Sequence, residues 1–176
     1  MLPTDLTVSA VVERDGHFLI VEERSSGVIV LNQPGGHIES AEAPEDATIR
    51  ECLEEAGCEI SISGLLGVYL WIHPQTRQNF LRIVYTANLV KQHHQRTLDA
   101  GIHAVHWYSL ADIRNRKRDV RSPFVIQAID DYLDGKRQPE PSSSRSSQKA
   151  IASSQLSHSS GIPTFCQVRP EVGSNQ

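Results

Sequence analysis

Glu51, Glu54 and Glu55 stand three and four residues apart, the spacings that bring side chains onto one surface of a helix. Three carboxylates gathered there repel one another unless positive charge lies between them. Arg50 supplies part of that charge by pairing with Glu54 one turn along. A hard divalent cation would supply more, because a donor set made only of oxygen suits Mg²⁺ or Mn²⁺. An acidic helix face that merely meets solvent needs no cation. What lifts this cluster above that case is the turn Gln33-Pro34-Gly35-Gly36 shortly before it, where two glycines let backbone groups come close to a ligand or metal.

The element that must carry the cluster is a helix over Pro44–Ala56. Pro44 suits a first helical position, where its missing N–H costs nothing. Glu45 and Asp46 follow in the first turn, where the helix dipole favours negative charge. Gly57 can end the helix as a left-handed residue, whereas Ala43 is a poor N-cap. Placed at 100° per residue, Ile49, Cys52, Leu53 and Ala56 fall on one side and are expected to meet a sheet. Glu51, Glu54 and Glu55 fall on the other, with Ala47 among them one turn earlier.

The residues Gly36-x5-Glu42-x7-Arg50-Glu51-x2-Glu54-Glu55-x-Gly57 resemble the signature of the Nudix hydrolase superfamily. Gly36, Glu42, Arg50, Glu51, Glu54, Glu55 and Gly57 all hold its fixed positions. Cys52 and Cys58 occupy two positions that are usually aliphatic. The flanking runs Asn32–Glu39, Phe80-Leu81-Arg82 and Arg121-Ser122-Pro123, the last followed by a helix with Tyr132 and Gly135, are similar to the NudJ-type phosphatases over residues 5–139. Leu31, Gly101 and His103 stand where that group more often carries an aromatic residue or carboxylates.

This resemblance implies an α/β/α sandwich with a mixed β-sheet. It also implies a Mg²⁺-dependent hydrolase, with Mn²⁺ as the alternative ion, cleaving the phosphoanhydride of a small molecule. Thiamine diphosphate, hydroxymethylpyrimidine diphosphate and nucleoside di- or triphosphates are the substrates it points to. A sugar-nucleotide or dinucleotide pyrophosphatase is the enzymatic alternative. A nucleotide-sensing module without turnover is a further one, although such modules typically lose carboxylates that this chain keeps.

The resemblance assigns metal binding to Glu51, Glu54 and Glu55, with a backbone carbonyl at Gly36 as a further ligand. Glu54 is the first candidate for general base, and Asp99 the second. Glu51 and Arg50 complete the catalytic set, Arg50 more as partner of a carboxylate than as a phosphate contact. Glu42 has a partly structural role, and Glu39 stands where it can reach a metal. Gln33 and Arg82 are candidate substrate contacts, and Arg24 and Arg77 can also meet terminal phosphates. Trp71, Phe80 and Tyr69 can stack on a heteroaromatic ring, though packing is the commoner use of such residues. His37 and His73 titrate near neutral pH but are more simply surface histidines.

The rest of the chain must build a support. Leu6–Val12 and His17–Glu23 are expected strands joined at Asp15-Gly16, a two-residue hairpin signal. Val28–Leu31 is a third, leading into the glycine turn. After the helix, Cys58–Ser63 and Leu65–Ile72 read as extended, Asn79–Val90 as the antiparallel partner, and His103–Tyr108 as a last strand. Ser109 can cap a short helix over Leu110–Asn115. A further helix starts near Ser122-Pro123, ends near Asp134-Gly135 and turns Val125, Ile129, Tyr132 and Leu133 to one side.

With 176 residues and 39% hydrophobic content, one folded domain over residues 1–138 is expected. Residues 139–176 are rich in serine and proline and are expected to be disordered, with Ile162-Pro163-Thr164-Phe165 as a small apolar island. A net charge of −4 argues against a nucleic-acid-coating protein. No signal peptide or membrane-length apolar run is seen. Cys52, Cys58 and Cys166 have no metal-site spacing and are odd in number, which favours a reducing compartment such as the cytoplasm. The assembly is expected to be a monomer or homodimer.

Overall fold

A computed structural model of the chain describes residues 4–25, 27–136 and 138–139. The serine-rich segment, including Ile162–Phe165 and Cys166, lies outside the described residues.

Strands β1 (Thr4–Arg14) and β2 (His17–Ser25) are joined through Asp15 and Gly16, both at positive φ. They pair with each other only beside that turn, at Glu13↔Phe18 and Arg14↔His17. Along the rest of its length β1 runs parallel to β5 (Asn79–Gln92), from Thr4↔Asn79 to Val12↔Ala87. β2 pairs antiparallel with both β3 (Val28–Asn32) and β6 (Ile102–Ser109). β5 pairs antiparallel with β4 (Cys58–Ile72), and the two-residue β7 (Gln138–Pro139) adds to β4 at Leu65 and Gly64. The order β3-β2-β1-β5-β4-β7, with β6 on β2, is a mixed sheet.

Helix α1 (Pro44–Ala56) packs on one face of this sheet. Helices α2 (Leu110–Asn115) and α3 (Phe124–Leu133) pack on the other. Successive residues of a strand point to opposite faces, and β2 feeds two cores in this way. Leu19 and Val21 meet Cys52, Ala56 and Cys58 on the α1 side. Phe18 and Ile20 meet Ile113, Val125, Ala128 and Ile129 on the other. The two cysteines of the signature region are free thiols filling aliphatic space in that first core.

Three details differ from the sequence expectations. Cys58–Ile72 is one strand, its pairing with β5 shifting register between Glu59 and Ile60, Ile62 and Gly64, and Leu65 and Gly67; bulges let a long strand bend without ending. Helix α3 has no side-chain cap: Pro123 holds the cap position, and Ser122 meets the helix start through its backbone carbonyl, which accepts the Val125 N–H at 3.2 Å. Leu133 is 57% exposed rather than packed.

Among the described residues no helix is long and apolar enough to cross a membrane.

Candidate active site

The glycine turn is bound to β1 before anything else is attached to it. Val8 N–H donates to the Gly36 carbonyl at 2.9 Å, Ala10 N–H to Pro34 at 3.1 Å, and Ile38 N–H to the Leu6 carbonyl at 3.3 Å. A Cβ on Gly35 would stand 2.1 Å from the Val8 carbonyl oxygen, so only glycine permits this approach. The Gly36 carbonyl, expected as a metal ligand, thus already accepts a hydrogen bond from β1. Gln33, expected at the substrate, is 1% exposed and donates through Nε2 to the Val125 carbonyl at 2.8 Å. Its observed use is to tie the turn to α3.

Helix α1 delivers the carboxylates to this turn. It spans Pro44–Ala56 and closes on Gly57, which is left-handed (φ 63°) and donates its N–H to Leu53 at 3.1 Å. The helix is rotated from the expected orientation. Ile49, expected against the sheet, is 36% exposed, while Glu51 and Glu55 are each only 8% exposed. The cause lies in the turn: two residues without side chains leave room for carboxylates to pack inward. A Cβ on Gly36 would stand 2.5 Å from Glu51 Oε1. Gly35 N–H donates to Glu55 Oε2 at 2.8 Å. Glu54, with 35% of its side chain exposed, is the carboxylate nearest solvent.

Arg50 binds the cluster together. Its Nη1 donates to Glu51 Oε1 at 2.9 Å and to Glu54 Oε2 at 3.0 Å. Its Nε and Nη2 hold both oxygens of Glu42 at 2.8 and 2.9 Å, and Nη2 also reaches the His37 carbonyl at 3.1 Å. The guanidinium hydrogen bonds hold the Glu42 carboxyl down at about 2. Glu42 in turn accepts the Glu39 N–H at 2.9 Å, fixing the loop before the helix. Arg50 is therefore a clamp between loop and helix.

The electrostatics of the inner pair run the other way. Burial pushes Glu55 up to about 8 against the Gly35 hydrogen bond, with repulsion from Glu23, Glu51 and Asp99 adding to it. Glu51 is also raised, chiefly by burial and despite Arg50, with Glu54 and Asp99 contributing. Asp99 comes from the loop between β5 and β6, and its N–H donates to the Glu54 carbonyl at 3.1 Å. Four carboxylates from two segments thus share one region.

That crowding is the basis for asking whether a cation fits. Among the described residues no three acidic, imidazole or thiol groups are gathered into a cage, and Arg50 Nη1 occupies the space between Glu51 and Glu54. Yet no hydrogen bond between described residues reaches Glu51 Oε2, Glu54 Oε1 or Glu55 Oε1. The donor set is all oxygen, and the raised carboxyl groups are destabilised as anions in a way that positive charge relieves. The residues present fit a hard divalent ion.

Behind Glu55 lies a buried polar network that motif reading missed. Arg121 Nη1 donates to Glu23 Oε1 at 2.7 Å, Asn32 Nδ2 donates to the same oxygen at 3.0 Å, and Arg82 Nη1 donates to Asn32 Oδ1 at 3.2 Å. Arg82 also donates through Nε to Thr7 Oγ1 at 3.3 Å. The signal was faint: Glu23 is an acid at the end of an apolar strand. Arg82, a candidate substrate contact, is only 9% exposed, and burial, with Arg121 nearby, lowers it to about 10.

The remaining expected residues lie elsewhere. Trp71 packs against the α3-side core, with its ring 5.6 Å from Phe80 and 5.1 Å from His73. Tyr69 is buried and donates to Asp131 Oδ2 at 2.9 Å, a core role rather than a stacking surface. His37 Nε2 lies 3.7 Å from Asp5 Oδ2, and His73 Nδ1 accepts the Thr76 N–H. Arg24 and Arg77 are exposed.

Known proteins align with this arrangement. Residues 3–127 match the NUDIX domain family. Phosphatase NudJ of Escherichia coli (strain K12) is 33% identical over 139 residues, covering 79% of this chain and 90% of that protein. Phosphatase NudJ of Shigella sonnei (strain Ss046) matches to the same extent. A NUDIX hydrolase structure from Nitrosomonas europaea superposes with a TM-score of 0.75 at 38% identity, over 78% of this chain and 94% of that one. The MutT protein from Methanosarcina mazei Go1 shares the fold alone, with a TM-score of 0.63 at 19% identity over 77% of this chain and 97% of that one.

Proposed function

From a chain that belongs to the NUDIX family, and is thus a hydrolase of phosphorus-containing acid anhydrides, we propose a divalent-metal-dependent phosphohydrolase with Mg²⁺ as its ion and Mn²⁺ as the substitute. Its substrate is a small diphosphate: a nucleoside di- or triphosphate, or thiamine or hydroxymethylpyrimidine diphosphate. The observation that carries this reading is the packing of Glu51 and Glu55 against the Gly35–Gly36 turn, with Glu54 and Asp99 beside them. Similarity to phosphatases called NudJ supports the choice of substrate class.

Glu51, Glu54 and Glu55 are the residues that would hold the ion. A bound divalent ion supplies charge stabilisation at phosphoryl oxygens and acidifies a water. Arg50 keeps Glu51 and Glu54 at fixed spacing while leaving each a second oxygen. Glu54, the most exposed of the three, accepts the proton of the attacking water, and Asp99 is the second candidate for that base. Gly35 N–H orients Glu55. Arg82 and Gln33 act from below, Arg82 by adding positive charge near Glu55 and Gln33 by fixing the turn. Trp71 and Phe80 offer a joined aromatic surface.

Product analysis tests the proposal. Incubation with thiamine diphosphate, nucleotides and sugar nucleotides should release orthophosphate from the diphosphates. Two phosphorylated products from a sugar nucleotide, with no orthophosphate from any substrate, would replace it with the pyrophosphatase reading.

A further inference from the structure

The loop between β5 and β6 carries Asp99 and has no helix or strand of its own over residues 93–101. It is hooked twice onto the end of α1: His93 N–H donates to the Gly57 carbonyl at 2.8 Å, and Asp99 N–H to the Glu54 carbonyl at 3.1 Å. At its far end the Gly101 carbonyl accepts the Arg24 N–H at 2.9 Å. The fit at Gly57 is close, since a Cβ there would stand 2.9 Å from the His93 carbonyl oxygen and 3.5 Å from Leu98 Cδ2.

One side-chain bond is added to these backbone hooks. His93 Nε2 lies 2.5 Å from Glu59 Oε1, and among the described residues no other side chain of 93–101 is hydrogen-bonded or ion-paired. Glu59 is itself fixed by the sheet, where β4 sets it opposite Lys91 of β5. The imidazole donates to the carboxylate as the neutral Nε2–H tautomer or as the cation. Both side chains reach water, His93 at 31% and Glu59 at 46% exposure, so their bond adds little to global stability. Its effect is local. A loop with few buried contacts opens more readily than the domain that bears it, and each tether makes that opening costlier.

Asp99 lies six residues beyond His93, and its charge bears on both Glu51 and Glu55. We propose that Glu59 and His93 are positioning residues: their bond holds the loop where Asp99 meets the carboxylate cluster, and they influence hydrolysis only through Asp99. The effect on turnover rests on the function proposed above; the effect on the loop does not.

The test joins amide hydrogen exchange with a double-variant cycle, both on the full chain. Without divalent metal, exchange at the His93 and Asp99 amides should be about fivefold faster in Glu59→Ala and in His93→Ala, the upper worth of an exposed pair, and unchanged in the sheet core. The melting temperature should hardly move. With Mg²⁺ and a nucleoside triphosphate, kcat should fall about tenfold in either variant, less than the roughly 100-fold that a 1 Å displacement costs. Glu59→Gln, whose amide oxygen can still accept from the ring, should recover most of the loss. Adding Glu59→Ala to Asp99→Asn should cost nothing further, because the two residues act as one unit. Unchanged exchange at His93 and Asp99 overturns the proposal, as does faster exchange throughout the domain. An equal fall in kcat with and without Asp99 overturns it too, since Glu59 would then act by another route. A wild type that hydrolyses no phosphoanhydride, with exchange faster in the variants as expected, would count against the function above and leave the loop tether standing.

Discussion

A Cβ on Gly36 would stand 2.5 Å from Glu51 Oε1, so glycine and carboxylate share one space. The neighbour in the way is the end of a side chain, not backbone, and it can move. Gly36→Ala should therefore fold with little change in melting temperature while displacing Glu51, and hydrolysis should fall at least about tenfold, as misplaced catalytic groups cost. Gly35→Ala is the contrasting case, because its Cβ would meet the Val8 carbonyl oxygen at 2.1 Å and Ser9 Cα at 2.6 Å. That overpacking against backbone should cost about 1–3 kcal/mol of stability. Thermal melts and initial rates on the two variants separate the effects; a Gly36→Ala enzyme with full activity would show that Glu51 has no need of its position.

Glu54→Gln keeps the size of the side chain and can keep one contact with Arg50. Turnover should drop about 10²–10⁴-fold, the range for a lost general base, without loss of fold. If Glu54→Gln is fully active and Asp99→Asn is not, the base is the loop acid.

The clamp at Glu42 makes a prediction about pH. Its carboxyl is depressed from its ordinary 4.5 to about 2 by Arg50. A group whose folded value is depressed stabilises above its unfolded value and loses that contribution as pH falls toward the folded one. Glu42→Gln should thus be less stable than wild type at pH 7, and the gap should narrow between about pH 4.5 and 2. Chemical denaturation across that range is the check; a gap independent of pH would mean the ion pair contributes nothing.

How the helix lies was harder to read from the chain than that it exists. Pro44 and Gly57 are local signals, and α1 begins and ends where they put it. The rule that apolar residues turn inward then misplaced Ile49 and Glu51, because it takes no account of what the opposite surface lacks. Gly35 and Gly36 accept carboxylates there. Arg82 was illegible for a different reason: its partner Thr7 is brought beside it by a parallel strand pairing 75 residues apart, and its partner Asn32 comes from the end of β3, 50 residues away. The Arg50–Glu54 pair, by contrast, follows from spacing alone.

Chain termination after Pro141 retains β7 and every residue placed at the site. The shortened protein should hydrolyse the same substrates at the same rate. A large loss of activity or stability would mean that the serine-rich segment packs on the domain.

The account stands on carboxylates that bind a divalent ion to hydrolyse a phosphoanhydride, and the metal dependence of phosphate release measures that directly. Initial rates with nucleoside triphosphates and thiamine diphosphate should be negligible in chelator, rise with added Mg²⁺ or Mn²⁺, and stay low in Glu51→Gln at every metal concentration. Equal hydrolysis with chelator and with Mg²⁺, or a Glu51→Gln enzyme as active as wild type, would contradict it.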